Sequence, residues 1–172
     1  MGVSVQSPAA VGQDVAANVI GVVSGWIPID GGISTVDASI VSLNSSVSLT
    51  NAPLGLAAAQ VAINYRVADY ALFAGAAITV FTARRGPVAA VAGPVVDQSF
   101  NFHYRTYSFA NLLSYTASSG SFEEGDSGSA VVDNFSGQFL GIHLAGIGSE
   151  GYCTVAPQIW IAYSDSGFAF LQ

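Results

Sequence analysis

Five consecutive residues could do chemistry together: Gly125, Asp126, Ser127, Gly128 and Ser129, entering the apolar run Ala130-Val131-Val132. Glycines on both sides of a serine allow a tight turn, and in such a turn the backbone N–H groups of Gly125 and Ser127 can point at one spot. Two fixed donors there would form an oxyanion hole, and a donor of that kind contributes about 3–4 kcal/mol to acyl transfer. The same pentapeptide also reads as a plain Gly/Ser/Asp turn leading into a strand. Further along lies His143, in Gly141-Ile142-His143-Leu144-Ala145-Gly146, beyond the turn residues Asp133-Asn134-Phe135-Ser136-Gly137. A serine hydroxyl is a poor nucleophile until a base takes its proton, and the chain holds 2 histidines, His103 and His143. His103 alternates with aromatics in Asn101-Phe102-His103-Tyr104-Arg105, as a structural strand residue or a pocket-rim residue would. Glu123 and Glu124 precede the turn, but neighbours in an extended chain face opposite ways and cannot act on one substrate atom. His103, His143 and Cys153 have no short ligand spacing, so no metal site is expected, and no cofactor.

The elements that must position these residues read as short strands. β-branched and apolar runs at Val19–Val23, Ala38–Leu43, Ala77–Phe81, Val88–Val91, Phe100–Tyr107, Ala130–Val132 and Phe139–Leu144 are separated by Gly, Pro, Asn and Ser. That pattern predicts an all-β sandwich or barrel. The Ala-rich stretch Leu56–Leu72 departs from it, with spacing that suits a short helix near 56–70. The C-terminal Ile159–Leu171 suits either a strand or a short closing helix.

In 172 residues, 51% hydrophobic, there is material for one well-cored domain. Charged residues are only 9%, against about 25% in ordinary domains. A net charge of −7 with 4 arginines and no lysine argues against a nucleic-acid partner. The longest mostly apolar stretch, Ala71–Phe81, is shorter than the ~18 residues of a spanning helix, so a soluble chain with no membrane partner is expected. Nothing after Met1 resembles a signal peptide. Cys153 is the only cysteine and has no partner for an internal disulfide.

Residues 125–146 resemble the trypsin-like serine endopeptidases, nearest their disulfide-free bacterial branch that includes the glutamyl endopeptidases. There a GDSGS or GNSGS nucleophile turn is followed by an apolar strand, a turn and a GIHxGG-like strand; here Ala145 stands where the first glycine of the pair is usual. The resemblance implies a double β-barrel and peptide-bond hydrolysis of a polypeptide substrate through an acyl-enzyme on Ser127. It implies an oxyanion hole from Gly125 and Ser127, and a substrate channel walled by Leu144, Ala145 and Gly146. His143 would bind an acidic P1 side chain; the alternative is a strand histidine satisfied by a neighbouring hydroxyl. Upstream, Val36-Asp37-Ala38-Ser39-Ile40 resembles the segment that carries the triad acid, at the family's interval from the nucleophile. Asp37 is therefore the expected triad acid, with an ordinary strand-start aspartate as the alternative and Asp30 of Asp30-Gly31-Gly32 as a competitor that reads first as a turn.

The family places its triad histidine ahead of the acid, and no histidine precedes Asp37. The resemblance therefore implies that the base-bearing segment lies before Met1. The expected organisation is one domain over 1–172: about 1–50 as a remnant of the first barrel and crossover, and 70–172 as a complete second barrel. Its expected partner is a complementing N-terminal fragment or a second copy supplying a strand. A catalytically inactive binding or assembly module on the same fold is the competing function.

Overall fold

In the computed structural model the residues described are 4–6, 19–27, 29, 32–45, 60–61, 66–82, 85–102 and 104–164. Eleven strands run through them: β1 (Ser4–Gln6), β2 (Val19–Trp26), β3 (Ile33–Ser34), β4 (Ser39–Leu43), β5 (Gln60–Val61), β6 (Ala77–Thr82), β7 (Gly86–Phe102), β8 (Arg105–Ala117), β9 (Ala130–Asp133), β10 (Gln138–Ile147) and β11 (Glu150–Val155). The helix α1 (Ala156–Ser164) follows.

Six strands, β6 to β11, close into a barrel. The pairing runs β11-β10-β9-β6-β7-β8, and β8 returns to β11 through Tyr115↔Gly151 and Leu113↔Cys153. Closure leaves the ring without a free edge. The strands alternate as half-buried strands must: in β6, Ile78, Val80 and Thr82 are buried while Ala77 is exposed and Thr79 and Phe81 are half-buried. The inward residues Ile78, Val80, Ala90, Ala92, Leu113, Tyr115, Val131, Leu140, Cys153 and Val155 belong to one core. Tyr70, fully buried, joins this core, and its hydroxyl donates to the Leu140 carbonyl at 2.9 Å. Two short strands lie against the ring in parallel, β3 on β8 and β5 on β10.

A separate three-stranded antiparallel sheet, in the order β1-β2-β4, is built from the N-terminal residues. A smaller core of Val36, Ile159 and Tyr163, with Ile27, Ala38, Ile40 and Ile142 packed on it, joins this region to α1 and β10. The all-β expectation therefore holds, and the described part of the closing segment lies in the helix Ala156–Ser164.

Two expectations are corrected. The short helix expected over Leu56–Leu72 is present in its last part, where Val67–Phe73 is a 3-10 helix, whereas Gln60–Val61 is a strand paired with Gln138–Phe139. The remainder of that stretch lies outside the described residues. Alanine is the strongest helix former, yet propensity is a weak prior, and pairing of Gln60–Val61 with β10 overrides it. Likewise Phe100–Tyr107 is not one strand. The chain reverses between Phe102 and Arg105, which pair with each other, and Val88–Val91 lies in the same strand, β7, as Phe100. The reversal uses Tyr104 at φ 66°, a conformation that sequence pattern does not announce for a bulky residue.

Candidate active site

The turn Gly125–Ser129 is held from both sides. Its outer peptides close on themselves, with the Asp126 N–H donating to Glu123 O at 3.1 Å and the Ser129 N–H to Asp126 O at 3.1 Å. Its exit is locked to β10 by a reciprocal pair: Gly128 N–H to His143 O at 2.9 Å and His143 N–H to Ser129 O at 2.8 Å. Gly125 at φ 95° and Gly128 at φ 91° sit where L side chains are strained, which accounts for the two glycines flanking Asp126-Ser127. The Gly125 and Ser127 amides donate to no other group among the described residues. The Ser127 hydroxyl donates to the Leu144 carbonyl at 2.6 Å.

Beneath the turn lies the Asp126 carboxylate, 1% exposed. It accepts from the Arg85 guanidinium in a close ion pair and from the Glu123 N–H at 2.9 Å. Arg85 also donates to Ser121 O at 2.7 Å and lies 3.6 Å from the exposed Glu123 carboxylate. The guanidinium thus ties the β6–β7 turn to the segment leading into Ser127. No local sequence pattern pairs Arg85 with Asp126, 41 residues further along the chain.

His143 is 2% exposed, and its Nδ1 is bonded to the Tyr115 hydroxyl. Burial lifts the Tyr115 pKa well above its ordinary value, with Cys153 and Asp126 adding to the shift, so the phenol keeps its proton. That proton has no other acceptor among the described residues, which assigns the donor role to Tyr115 and the ring hydrogen to Nε2 of a neutral imidazole. Burial lowers the His143 pKa to about 4; Asp126 opposes this shift and Arg85 reinforces it. The imidazole also lies against the Phe122 ring, centroids 4.8 Å apart. Of the two sequence readings of His143, the satisfied-hydroxyl contact is present.

Ser127, Gly128, His143 and Leu144 line a cleft of about 1050 Å³ together with Asp37. Its other wall is apolar and aromatic, with Trp26, Ile29, Phe102, Tyr107 and Phe109. Asp37 is exposed as a residue, yet its carboxyl sits deep enough that burial raises its pKa. Its segment is anchored at two adjacent residues: the Asp37 N–H reaches Thr154 Oγ1 at 3.4 Å, and the Tyr163 hydroxyl donates to Ala38 O at 2.6 Å. Asp37 and Ser127 therefore share one cleft although they come from opposite halves of the chain. Ala145 is buried and Gly146 exposed, following Leu144 along β10. His103 and Asp30 lie outside the described residues. Phe122, Tyr115, Arg85 and Thr154 were missed in the sequence, because each acts through a partner that only barrel closure brings near. Among the described residues no group of three or more His, Cys, Asp or Glu could hold a metal ion, and no helix is long and apolar enough to cross a membrane.

No protein-family model matches the sequence, and no curated protein matches it. Solved structures do. The chymotrypsin of Cellulomonas bogoriensis superposes with a TM-score of 0.61 at 18% identity, over 84% of this chain and 73% of that one. Protease A of Thermobifida fusca gives 0.59 at 16%, over 84% and 72%. An inactive form of Rv3671c from M. tuberculosis gives 0.53 at 16%, over 98% and 77%. With the six-stranded ring and the glycine-flanked turn at one cleft, these likenesses establish the fold as that of the bacterial chymotrypsin-like serine proteases.

Proposed function

We propose that the chain is a serine endopeptidase, or the larger part of one, acting through an acyl-enzyme on Ser127. One observation carries this reading: a serine held between two left-handed glycines, flanked by amides with no other partner among the described residues, shares its cleft with a carboxylate. In the proposed reaction Ser127 Oγ attacks the peptide carbonyl carbon while its proton passes to an imidazole. The oxyanion is held by the Gly125 and Ser127 amides. The C–N bond then breaks, the imidazole returns the proton to the leaving amine, and water releases the acyl group by the same route. Asp37 would orient that imidazole.

Among the described residues the imidazole is the part to be supplied. His143 has its Nδ1 engaged by Tyr115, and the Ser127 hydroxyl points its proton at a carbonyl, which cannot take it. We therefore assign the base to a complementing segment or to a second copy. The same engagement of Ser127 is the observation favouring the other reading, an inactive binding or assembly module. Fluorophosphonate labelling of Ser127 separates them. The 172-residue chain alone should label slowly or not at all, and addition of a base-bearing upstream segment should restore labelling. No labelling in its presence would leave the binding module as the function.

Acidic P1 preference is the finer question. A neutral His143 offers a carboxylate one Nε2–H and no charge, with Phe122 over its face and the exposed Glu123 and Glu124 nearby. These features weigh against the preference. A cleavage profile in which His143→Val abolishes selection for Glu or Asp would reinstate it.

A further inference from the structure

Beside the nucleophile, β10 and β11 face each other with glycine on both strands, Gly146 opposite Gly151. The space two side chains would take is filled from a third segment. Phe122 is 6% exposed, and its backbone N–H is fastened to Gly148 O at 2.8 Å. A Cβ on Gly146 would come within 2.3 Å of the Phe122 Cβ. On Gly151 it would come within 2.3 Å of the Tyr115 ring and 2.8 Å of the Phe122 ring. The Phe122 ring is edge-on to Tyr115 at 5.4 Å and lies tilted over His143 at 4.8 Å. The floor of this slot is thus an imidazole and a phenol that already satisfy each other, and its sides are bare backbone. It adjoins the reacting centre, since His143 lines the cleft with Ser127 and the next residue's carbonyl accepts the Ser127 hydroxyl. Phe122 reaches that cleft through its contact with His143.

We propose that Phe122 is the specificity-determining residue of this site: its ring occupies, as an internal ligand, a slot beside Ser127 built to the dimensions of one aromatic ring. Filled in this way, the slot has no room for a substrate side chain. Resting on the endopeptidase reading, the consequence is a substrate with glycine or alanine at the residue whose carbonyl Ser127 attacks. Recognition of the rest of the peptide then falls to the aromatic wall of Trp26, Phe102, Tyr107 and Phe109.

The slot is tested without catalysis. An apolar cavity left by removing a large side chain stays dry and takes up benzene. Phe122→Ala titrated with benzene should show a saturable rise in melting temperature that the parent chain lacks, with Phe122→Leu giving a smaller one. If Phe122→Ala does not fold unaided, refolding in the presence of benzene becomes the readout, and recovery of the folded chain is expected. A folded Phe122→Ala with no saturable shift, an equal shift in the parent, or no recovery on refolding would overturn the proposal. In the base-complemented chain, Phe122→Ala should move preference from Gly or Ala toward Phe by at least tenfold. Benzene uptake without Ser127 labelling would keep the slot and remove the protease.

Discussion

The Asp126 carboxylate is the most buried charge among the described residues: 1% exposed and answered by one guanidinium and one amide. Removing one partner of a buried pair leaves the other desolvated, at a cost of about 3–5 kcal/mol, whereas removing both charges costs much less. Arg85→Ala should therefore lose about 3 kcal/mol in urea unfolding, and Asp126→Asn added to it should recover more than half of that loss. A loss below about 1 kcal/mol would mean that water already serves the carboxylate. His143 sets a pH dependence of the opposite kind. Burial holds its folded pKa at about 4 against an ordinary 6.5, so the unfolded chain binds the proton first. Stability from this group is complete above pH 6.5 and falls as pH drops toward about 4. The pKa difference corresponds to roughly 3 kcal/mol. Urea midpoints measured across that window should fall for the parent and stay nearly flat for His143→Gln. Equal slopes would place the titration elsewhere.

At the scale of elements, what sequence discloses depends on how far apart the partners lie. The glycine-flanked turn and the strands on either side of it are local: period-2 alternation marks β6 directly, and β9 and β10 stand out as short apolar runs. The β7–β8 hairpin was harder to read because its tip carries no Gly or Asn-Gly signal; its turn residue is Tyr104. Bulges within it are equally silent: the register shifts between Val96 and Gln98, and Asn111 at φ 59° takes its place with its N–H on the Asp97 carboxylate at 2.9 Å. The anchoring of Asp37 was beyond sequence altogether, because Thr154 and Tyr163 reach it from the far end of the chain. That anchoring can be measured. Tyr163→Phe removes the bond to Ala38 O and should cost about 1 kcal/mol. Amide exchange should quicken at residues 36–38 while the barrel amides of β8 and β11 keep their protection. Uniform loss of protection would show that α1 stabilises the whole chain and not this segment.

The whole molecule is asymmetric in how its sheets end. The barrel closes on itself, whereas the three-stranded sheet ends at β1 and β4, each paired on one side among the described residues. An unpaired strand edge offers backbone donors and acceptors to another chain, and natural edges are blunted with lysine or proline. Here there is no lysine anywhere, and the sheet presents Trp26 at 68% exposure with Val22 and Leu43 at 39% and 37%. What opposes association is the net charge of −7. That repulsion acts over a Debye length of about 8 Å at physiological salt and about 3 Å at 1 M. Apolar contact is not screened in this way, so salt should favour the associated form. Light scattering on the purified chain should then give a mass above 17.6 kDa that rises with concentration and with salt. Leu43→Lys, which puts a charge on the β4 edge, should shift the population toward monomer. The added upstream segment should do the same if it pairs with that edge, linking loss of self-association to gain of Ser127 labelling. A monomer from micromolar to hundreds of micromolar in high salt would remove the sheet edge as the docking place for the proposed complementing segment.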